Sequence, residues 1–396
     1  MEPNKNTSVF LKHYDKSNWK KVRLGDVGYF MAGAGFPIVY QGKTKGQIPF
    51  LKVSDFSLEA NKDFLTKANN YISNEVREKL HASIIPTGSI VFAKIGAAIN
   101  LERKRMNKLP ICIDNNMMAF VPTGVSNDFI CHVFQIITLS NFVSATALPS
   151  LSSKVLGNIV VMLPENLETQ QKISNTLVAI NNHISKLERL ISKQEAIKKT
   201  TVKLLLQPKE GWITKTIGEI CDFYAAGSKS SYITENGQYY IVDMGAISSD
   251  GLLIATKQTN YACDFLKKND LVMPKDDIGG GQIIGKTIVI EEDDKYILGD
   301  HVYKLTTNIN AKFLSYLINS PEINKYMRKM ATGSAQLGLS KHSIAKCKVC
   351  FPAQETEQHR IATQLSEIDA HIENLKQQLA KQRAIKQGLM DYFFGN

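Results

Sequence analysis

Between Glu165 and Gln207, apolar residues fall at Ile173, Leu177, Ile180, Ile184, Leu187 and Ile191, spaced alternately by four and three. That alternation keeps one stripe on one side of a helix and is the seam of a coiled coil. Beyond Ile191 the same row meets Gln194 and Lys198. The pattern therefore predicts that the seam moves by one row, through Leu190, Ile197, Thr201 and Leu204, within an uninterrupted helix. About 40 residues at 1.5 Å each make a rod of about 60 Å, long enough to act as a spacer.

The pattern recurs at the end of the chain, where Ile361, Leu365, Ile368, Ile372, Leu375 and Leu379 repeat the spacing. The second seam is a copy of the first. Leu163-Pro-Glu-Asn-Leu-Glu-Thr-Gln-Gln-Lys-Ile173 matches Phe351-Pro-Ala-Gln-Glu-Thr-Glu-Gln-His-Arg-Ile361, and Lys193-Gln-Glu-Ala-Ile-Lys198 matches Lys381-Gln-Arg-Ala-Ile-Lys386. A period longer than a helix means a duplicated domain. Two related seams in one chain favour packing against each other over packing separately on their own domains.

The stretches before the two helices also open alike, with Trp19-Lys-Lys-Val-Arg-Leu-Gly-Asp-Val27 and Trp212-Ile-Thr-Lys-Thr-Ile-Gly-Glu-Ile220. Each opening is expected to be a helical turn that covers a core with its Trp. In the first stretch, strands are expected at Pro49 to Val53, Gly88 to Lys94, Met117 to Val121 and Ile159 to Leu163, with helices at Asn74 to His81 and Asp128 to Thr138. In the second, strands are expected at Tyr239 to Val242, Asp270 to Met273, Thr287 to Ile290 and Val302 to Leu305, with helices at Lys312 to Asn319 and Glu322 to Met330. There is no regular βαβ alternation. The class is α+β, with mixed or antiparallel sheets. The division expected is a first globular domain over 1–163, a helix over 164–207, a second domain over 208–352 and a helix over 353–396.

At 396 residues the chain has room for two or three cores. No apolar run approaches about 18 residues, and Met1 to Asn18 is polar and mixed in charge, so a cytoplasmic location is the expectation. The six scattered cysteines fit a reducing compartment. The net charge of +11 is unevenly placed: the first helix holds seven Lys/Arg against four Asp/Glu, the second five against six. Most of the excess therefore lies in the globular stretches, where a polyanion would bind.

Gly280-Gly-Gln-Ile-Ile-Gly-Lys-Thr287 matches the phosphate-binding pattern Gly-x4-Gly-Lys-(Ser/Thr). That chemistry needs a helix to begin after the loop, yet Ile288-Val-Ile-Glu-Glu-Asp reads as a strand. Two readings stand here, a Gly-rich hairpin turn and a P-loop nucleotide-binding protein. Cys347-Lys-Val-Cys350 has the spacing of a metal pair without a second pair to complete it, and its cysteines match Ile159 and Met162 of the first half, so packed thiols are expected rather than a metal site. No His-x3-His, Gly-x-Ser-x-Gly, Gly-x-Gly-x2-Gly after a strand, or (Asn/Asp)-Pro-Pro-(Tyr/Phe) occurs. No catalytic residues are assigned.

Together, the paired openings and the paired exits, Leu151-Ser-Ser-Lys154 through Leu163-Pro164 to Gln170 and Ile173, and Leu339-Ser-Lys-His342 through Phe351-Pro352 to Gln358 and Ile361, resemble the specificity subunits of Type I restriction-modification enzymes. The resemblance covers essentially the whole chain. It implies two target-recognition domains, each reading one half of a bipartite DNA site, joined by antiparallel helices that set the gap. It implies a non-catalytic adaptor, recruiting two methyltransferase subunits and two restriction subunits. S-adenosylmethionine, ATP and magnesium would belong to those partners.

From residue chemistry, DNA-contact candidates are Lys94, Arg103, Lys104, Arg105, Ser152, Ser153 and Lys154 in the first half, and Lys275, Gln282, Lys286, Gln336, Ser340 and Lys341 in the second. The two Leu-Ser elements also read as structural turns. Lys186, Arg189, Lys193, Lys376, Lys381 and Arg383 are candidate methyltransferase contacts or simply a solvated helix flank. A coiled-coil scaffold with heads indifferent to DNA is the remaining alternative.

Overall fold

The structure is a computed structural model that describes residues 16–144, 149–248, 251–278, 280–333 and 336–395. The polar segment Met1 to Asp15 lies outside the described residues. The chain forms two compact units, 1–186 with 378–396, and 187–377. Two long helices, Leu167–Leu205 and Glu355–Phe394, contribute to both.

In the first unit the main sheet is antiparallel, in the order Gly28–Ala32, Met117–Pro122, Ile90–Ala93, Lys104–Met106. The second unit repeats that order with Cys221–Tyr224, Val302–Thr307, Leu271–Pro274, Ile288–Val289. Each unit has a second, mixed sheet, three-stranded and built on Ile48–Leu51 in the first and four-stranded and built on Tyr239–Val242 in the second, each with one parallel pair. The α+β class expected from the sequence is the class observed.

The openings differ from expectation. Trp19 and Trp212 each start a strand, Trp19–Arg23 and Trp212–Thr216, and only the residues after these strands make the helical turn. The strand wins because it pairs with the exit strand before the long helix, Trp19 opposite Pro164 and Trp212 opposite Pro352. Entry and exit of each head are thereby tied together. Trp19 stacks on Phe393 with centroids 6.3 Å apart.

One buried glutamine in each unit fastens head to helix. Gln170 donates its amide to the Pro164 carbonyl at 2.8 Å and accepts the backbone N–H of Ser126 at 2.9 Å. Gln358 does the same with Pro352 at 2.8 Å and Asn310 at 3.0 Å. Ser126 and Asn310 are the N-caps of Asn127–Ile136 and Ala311–Ile318, so each glutamine satisfies a helix start and a strand end at once.

Ile173 and Leu177 are fully buried with Leu389, Phe393 and Phe394 in the core of the first unit. Ile361 and Leu365 take the same part in the second unit, with Leu206 and half-buried Leu205. Within the second unit Glu195 pairs with Lys376 and Lys198 with Asp369, an order that makes the two helices antiparallel there.

The expected shift of the seam does not occur. Leu190, Ile197 and Leu204 are 36%, 41% and 60% exposed, whereas Ile191 is 8% exposed. The original row continues through half-buried Gln194 and Lys198. A polar seam is tolerated there because Lys198 meets the Asp369 carboxylate at 2.6 Å.

Candidate nucleic-acid interface

The shared sheet places one lysine of each unit in the same backbone cage. The Lys94 N–H donates to the Asn116 carbonyl at 2.8 Å, and its carbonyl accepts from Leu151 at 2.9 Å. The Lys275 N–H donates to the His301 carbonyl at 3.0 Å, and its carbonyl accepts from Leu339 at 2.7 Å. The next residues pair in the same register, Ile95 with Ser150 and Asp276 with Gly338. Each lysine therefore leaves the end of a central strand beside a Leu-Ser element.

In the second unit this cage opens on a basic, aromatic face. The Lys275 ammonium lies 6.0 Å from the Tyr303 ring, Tyr303 meets Phe223 edge-on at 6.2 Å, and the Lys341 ammonium lies 5.6 Å from Phe223. Asp276 accepts from His301 Nδ1 at 2.7 Å and from Lys275 at 3.1 Å. Burial would raise its carboxyl, and these two hydrogen bonds outweigh burial and hold it below the ordinary range. Such a face offers ammonium groups to phosphates and rings to sugars or bases.

Among the candidates, Ser152, Ser153, Lys154, Gln282, Gln336, Ser340 and Lys341 are exposed, while Lys94, Arg103, Arg105, Lys275 and Lys286 are half-buried. Ser340 caps Lys341–Ala345 by accepting from the Ser343 N–H at 3.1 Å, whereas Ser152 makes no side-chain cap. Arg103 and Arg105 turn to the short helical turn Val53–Ser57, bonding Ser57 Oγ and the Phe56 carbonyl.

Lys104 is a correction. Only 5% exposed, it donates to Glu102 at 2.8 Å and to the Ile137 carbonyl at 2.7 Å, so its charge is consumed inside the first unit. A buried, doubly bonded ammonium holds two segments together and does not reach a phosphate. On the long helices Lys186, Arg189, Lys193, Lys376, Lys381 and Arg383 are all exposed, and Lys376 also pairs with Glu195 at 3.0 Å.

The P-loop reading fails on geometry. The strand Ile288–Val289 follows Thr287, so no helix begins there. The backbone N–H groups of Ile283 and Ile284, which would have to hold a phosphate, donate to the Asp277 carboxylate at 2.7 and 3.3 Å. Thr287 is 1% exposed and its hydroxyl lies 3.1 Å from that of Ser315. The loop's own carboxylate occupies the place of the anion. Cys347 is buried and Cys350 half-buried beside and within the strand Lys348–Pro352, as packed thiols would be. Burial pushes the Cys347 thiol up to about 11.

The residues around the two lysines, Asn116 in the first unit and Phe223, Asp276, His301 and Tyr303 in the second, were not singled out from the sequence. Asn116 and His301 match only when the central strands are laid in register, and the surrounding residues of the two halves differ too much for the sequence to supply that register.

No helix among the described residues is long and apolar enough to cross a membrane. The model of the Type I restriction modification DNA specificity domain matches residues 16–198 and again 209–382. A similar curated protein is the Type I restriction enzyme MjaVIII specificity subunit of Methanocaldococcus jannaschii, 24% identical over 94% of this chain and 91% of that protein. Among solved structures, the S subunit of a Type I restriction-modification system from M. genitalium shares the fold over 100% of this chain and 98% of its own, with a TM-score of 0.65 and 13% identity. A chain from a structural study of complex assembly in the type I R-M system matches with a TM-score of 0.51 and 15% identity, covering 95% of this chain and 97% of that one. Matched over both halves by one domain model, this chain belongs to the Type I restriction modification DNA specificity domain family and carries that domain twice.

Proposed function

We propose that each globular part reads one half of a bipartite DNA sequence, that the long helices set the unread gap, and that the chain itself performs no chemistry. On this reading it brings two modification subunits to the site, which methylate adenine N6 with S-adenosylmethionine, together with two restriction subunits that use ATP and magnesium. The observation that carries the reading is the duplicated cage: two sheets in the same order, each ending a central strand in a lysine beside a Leu-Ser element. A repeated scaffold with different surface residues suits one task performed on two different sequences. The helix residues Lys186, Arg189, Lys193, Lys376, Lys381 and Arg383 are the proposed contacts for the modification subunits.

The test is to express the chain with its own modification subunit in a host lacking adenine methylation, and to map methylated adenines by single-molecule sequencing. A split motif with a fixed gap, appearing only when both proteins are present, is expected. Lengthening both helices by one heptad changes the gap and leaves the letters unchanged. Methylation that is indifferent to this chain overturns the proposal, and a scaffold with heads indifferent to DNA takes its place.

A further inference from the structure

The two lysine cages share their backbone and differ in the residue that precedes the neighbouring central strand, Asn116 before Met117–Pro122 and His301 before Val302–Thr307. We infer that Asn116 and His301 are specificity-determining residues, each reading a base edge in its own half-site next to the lysine that holds the backbone. This rests on the specificity reading above.

Both residues present a polar group from a fixed place. Asn115 and Asn116 are exposed on the turn that enters the strand, and the His301 side chain is 45% exposed. The turn of the first unit is held by Asp114, which accepts the Asn116 N–H at 3.0 Å and one N–H of the Asn116 carboxamide, leaving that group its carbonyl and second N–H. It is pressed against Gly33 so closely that a Cβ there would lie 1.9 Å from the Asp114 carbonyl oxygen. In the second unit the carboxylate has moved to Asp276, which holds the His301 ring directly at 2.7 Å. Each unit thus spends one carboxylate on fixing this position, and uses a different residue to do so.

The chemistry of the two side chains separates their targets. An asparagine carboxamide offers one acceptor and one donor side by side, the complement of adenine N6 and N7 in the major groove. His301 Nδ1 meets the Asp276 carboxylate, which accepts its proton in a hydrogen bond, and Nε2 lies 3.7 Å from the Asp300 carboxylate. The imidazole edge at Nε2 is the part of His301 that meets a base edge. Lys94 and Lys275, bonded through their backbones to these same residues, supply phosphate contacts that carry no letter.

The experiment maps methylation motifs for the full chain with its modification subunit, comparing the parent with Asn116→Ala and His301→Ala. Asn116→Ser and His301→Asn are conservative companions, and thermal unfolding with co-purification of the modification subunit confirms assembly. Each Ala variant is expected to relax one letter by about 10-fold or more. The letter lies in one half-site only, the other half and the gap are unchanged, and the Asn116 letter is an adenine. Lys94→Ala lowers methylation of every site alike. An unchanged motif, or a uniform loss of methylation from an assembled variant and its companion with no letter altered, overturns the inference. If the parent chain itself yields no split motif, the specificity reading falls first and takes this inference with it.

Discussion

His132 in the first unit and Tyr316 in the second stand at the same place in equivalent helices, six residues beyond the capping residues Ser126 and Asn310. The Tyr316 hydroxyl donates to Asp369 of the second long helix at 2.7 Å. His132 packs against Phe394, with ring centroids 6.4 Å apart, and among the described residues its Nε2 finds no hydrogen-bond partner. The residue matching Asp369 in the repeat is Asn181, so the first unit has lost the carboxylate and changed the side chain facing it. Two halves with one backbone plan have solved the same contact in two ways, one polar and paired, the other aromatic and dry.

This difference predicts the largest effect, an acid sensitivity that His132 adds to the first unit. Burial pushes the His132 imidazole down to about 4, with Asp128 opposing and Lys386 reinforcing. Above its unfolded pKa of about 6.5 both states are neutral and the group contributes nothing to the pH dependence. As pH falls from about 6.5 to about 4 the unfolded chain takes up the proton first, so stability is lost, by up to about 3 kcal/mol. Burial raises the Tyr316 hydroxyl, with Asp369 adding to the rise, so Tyr316 does not titrate in that window. Unfolding followed by hydrogen exchange between pH 7 and pH 4 should show the first unit loosening before the second, and His132→Phe should remove much of that difference. Equal loss in both units would break the comparison.

A smaller effect tests where the units are alike. Replacing Gln170 or Gln358 with Ala strips one buried carbonyl and one helix-capping N–H of their partner. Each change should cost about 1–3 kcal/mol. Because the partners are the same groups at nearly the same distances, the two costs should agree, as measured by denaturant unfolding. A large disparity would mean that the glutamines are fastened alike but loaded differently.

What the sequence revealed follows the same division. The long helices, the paired exits and the repeated heads were legible because helical periodicity and the repeated Pro and Gln positions survive without knowledge of contacts. The seam beyond Ile191 was misread because Leu190, Ile197 and Leu204 look like better seam residues than Gln194 and Lys198, and only the opposing Asp369 makes Lys198 acceptable there. Lys104 looked like part of a basic surface cluster until Glu102, two residues away, was seen to bury it. Lys94 and Lys275 were singled out from the sequence, but their backbone partners Asn116 and His301 were not. That pairing depends on strand register, a long-range property that composition and spacing do not encode.

Asn181 offers the finest test. In the second unit Lys198 and Asp369 form an ion pair at 2.6 Å, with side chains 37% and 36% exposed. At that exposure solvent screens the pair, and its worth is below about 1 kcal/mol. In the first unit the repeat places Lys386 and Asn181 at the matching positions, a lysine without its carboxylate. Asn181→Asp should restore the pair with a gain below about 1 kcal/mol at pH 7. Its more telling consequence lies at lower pH. If the two units are equivalent here, the new carboxylate faces His132 as Asp369 faces Tyr316, favours the imidazolium, and draws the His132 pKa back toward its ordinary value. The acid-side loss of the first unit should then shrink even though stability at pH 7 scarcely moves. The midpoint of thermal unfolding, followed from pH 7 to pH 4 for the parent and for Asn181→Asp, reads both quantities. An undiminished loss on the acid side would mean that helix and head meet differently in the first unit, whatever the repeat in sequence suggests.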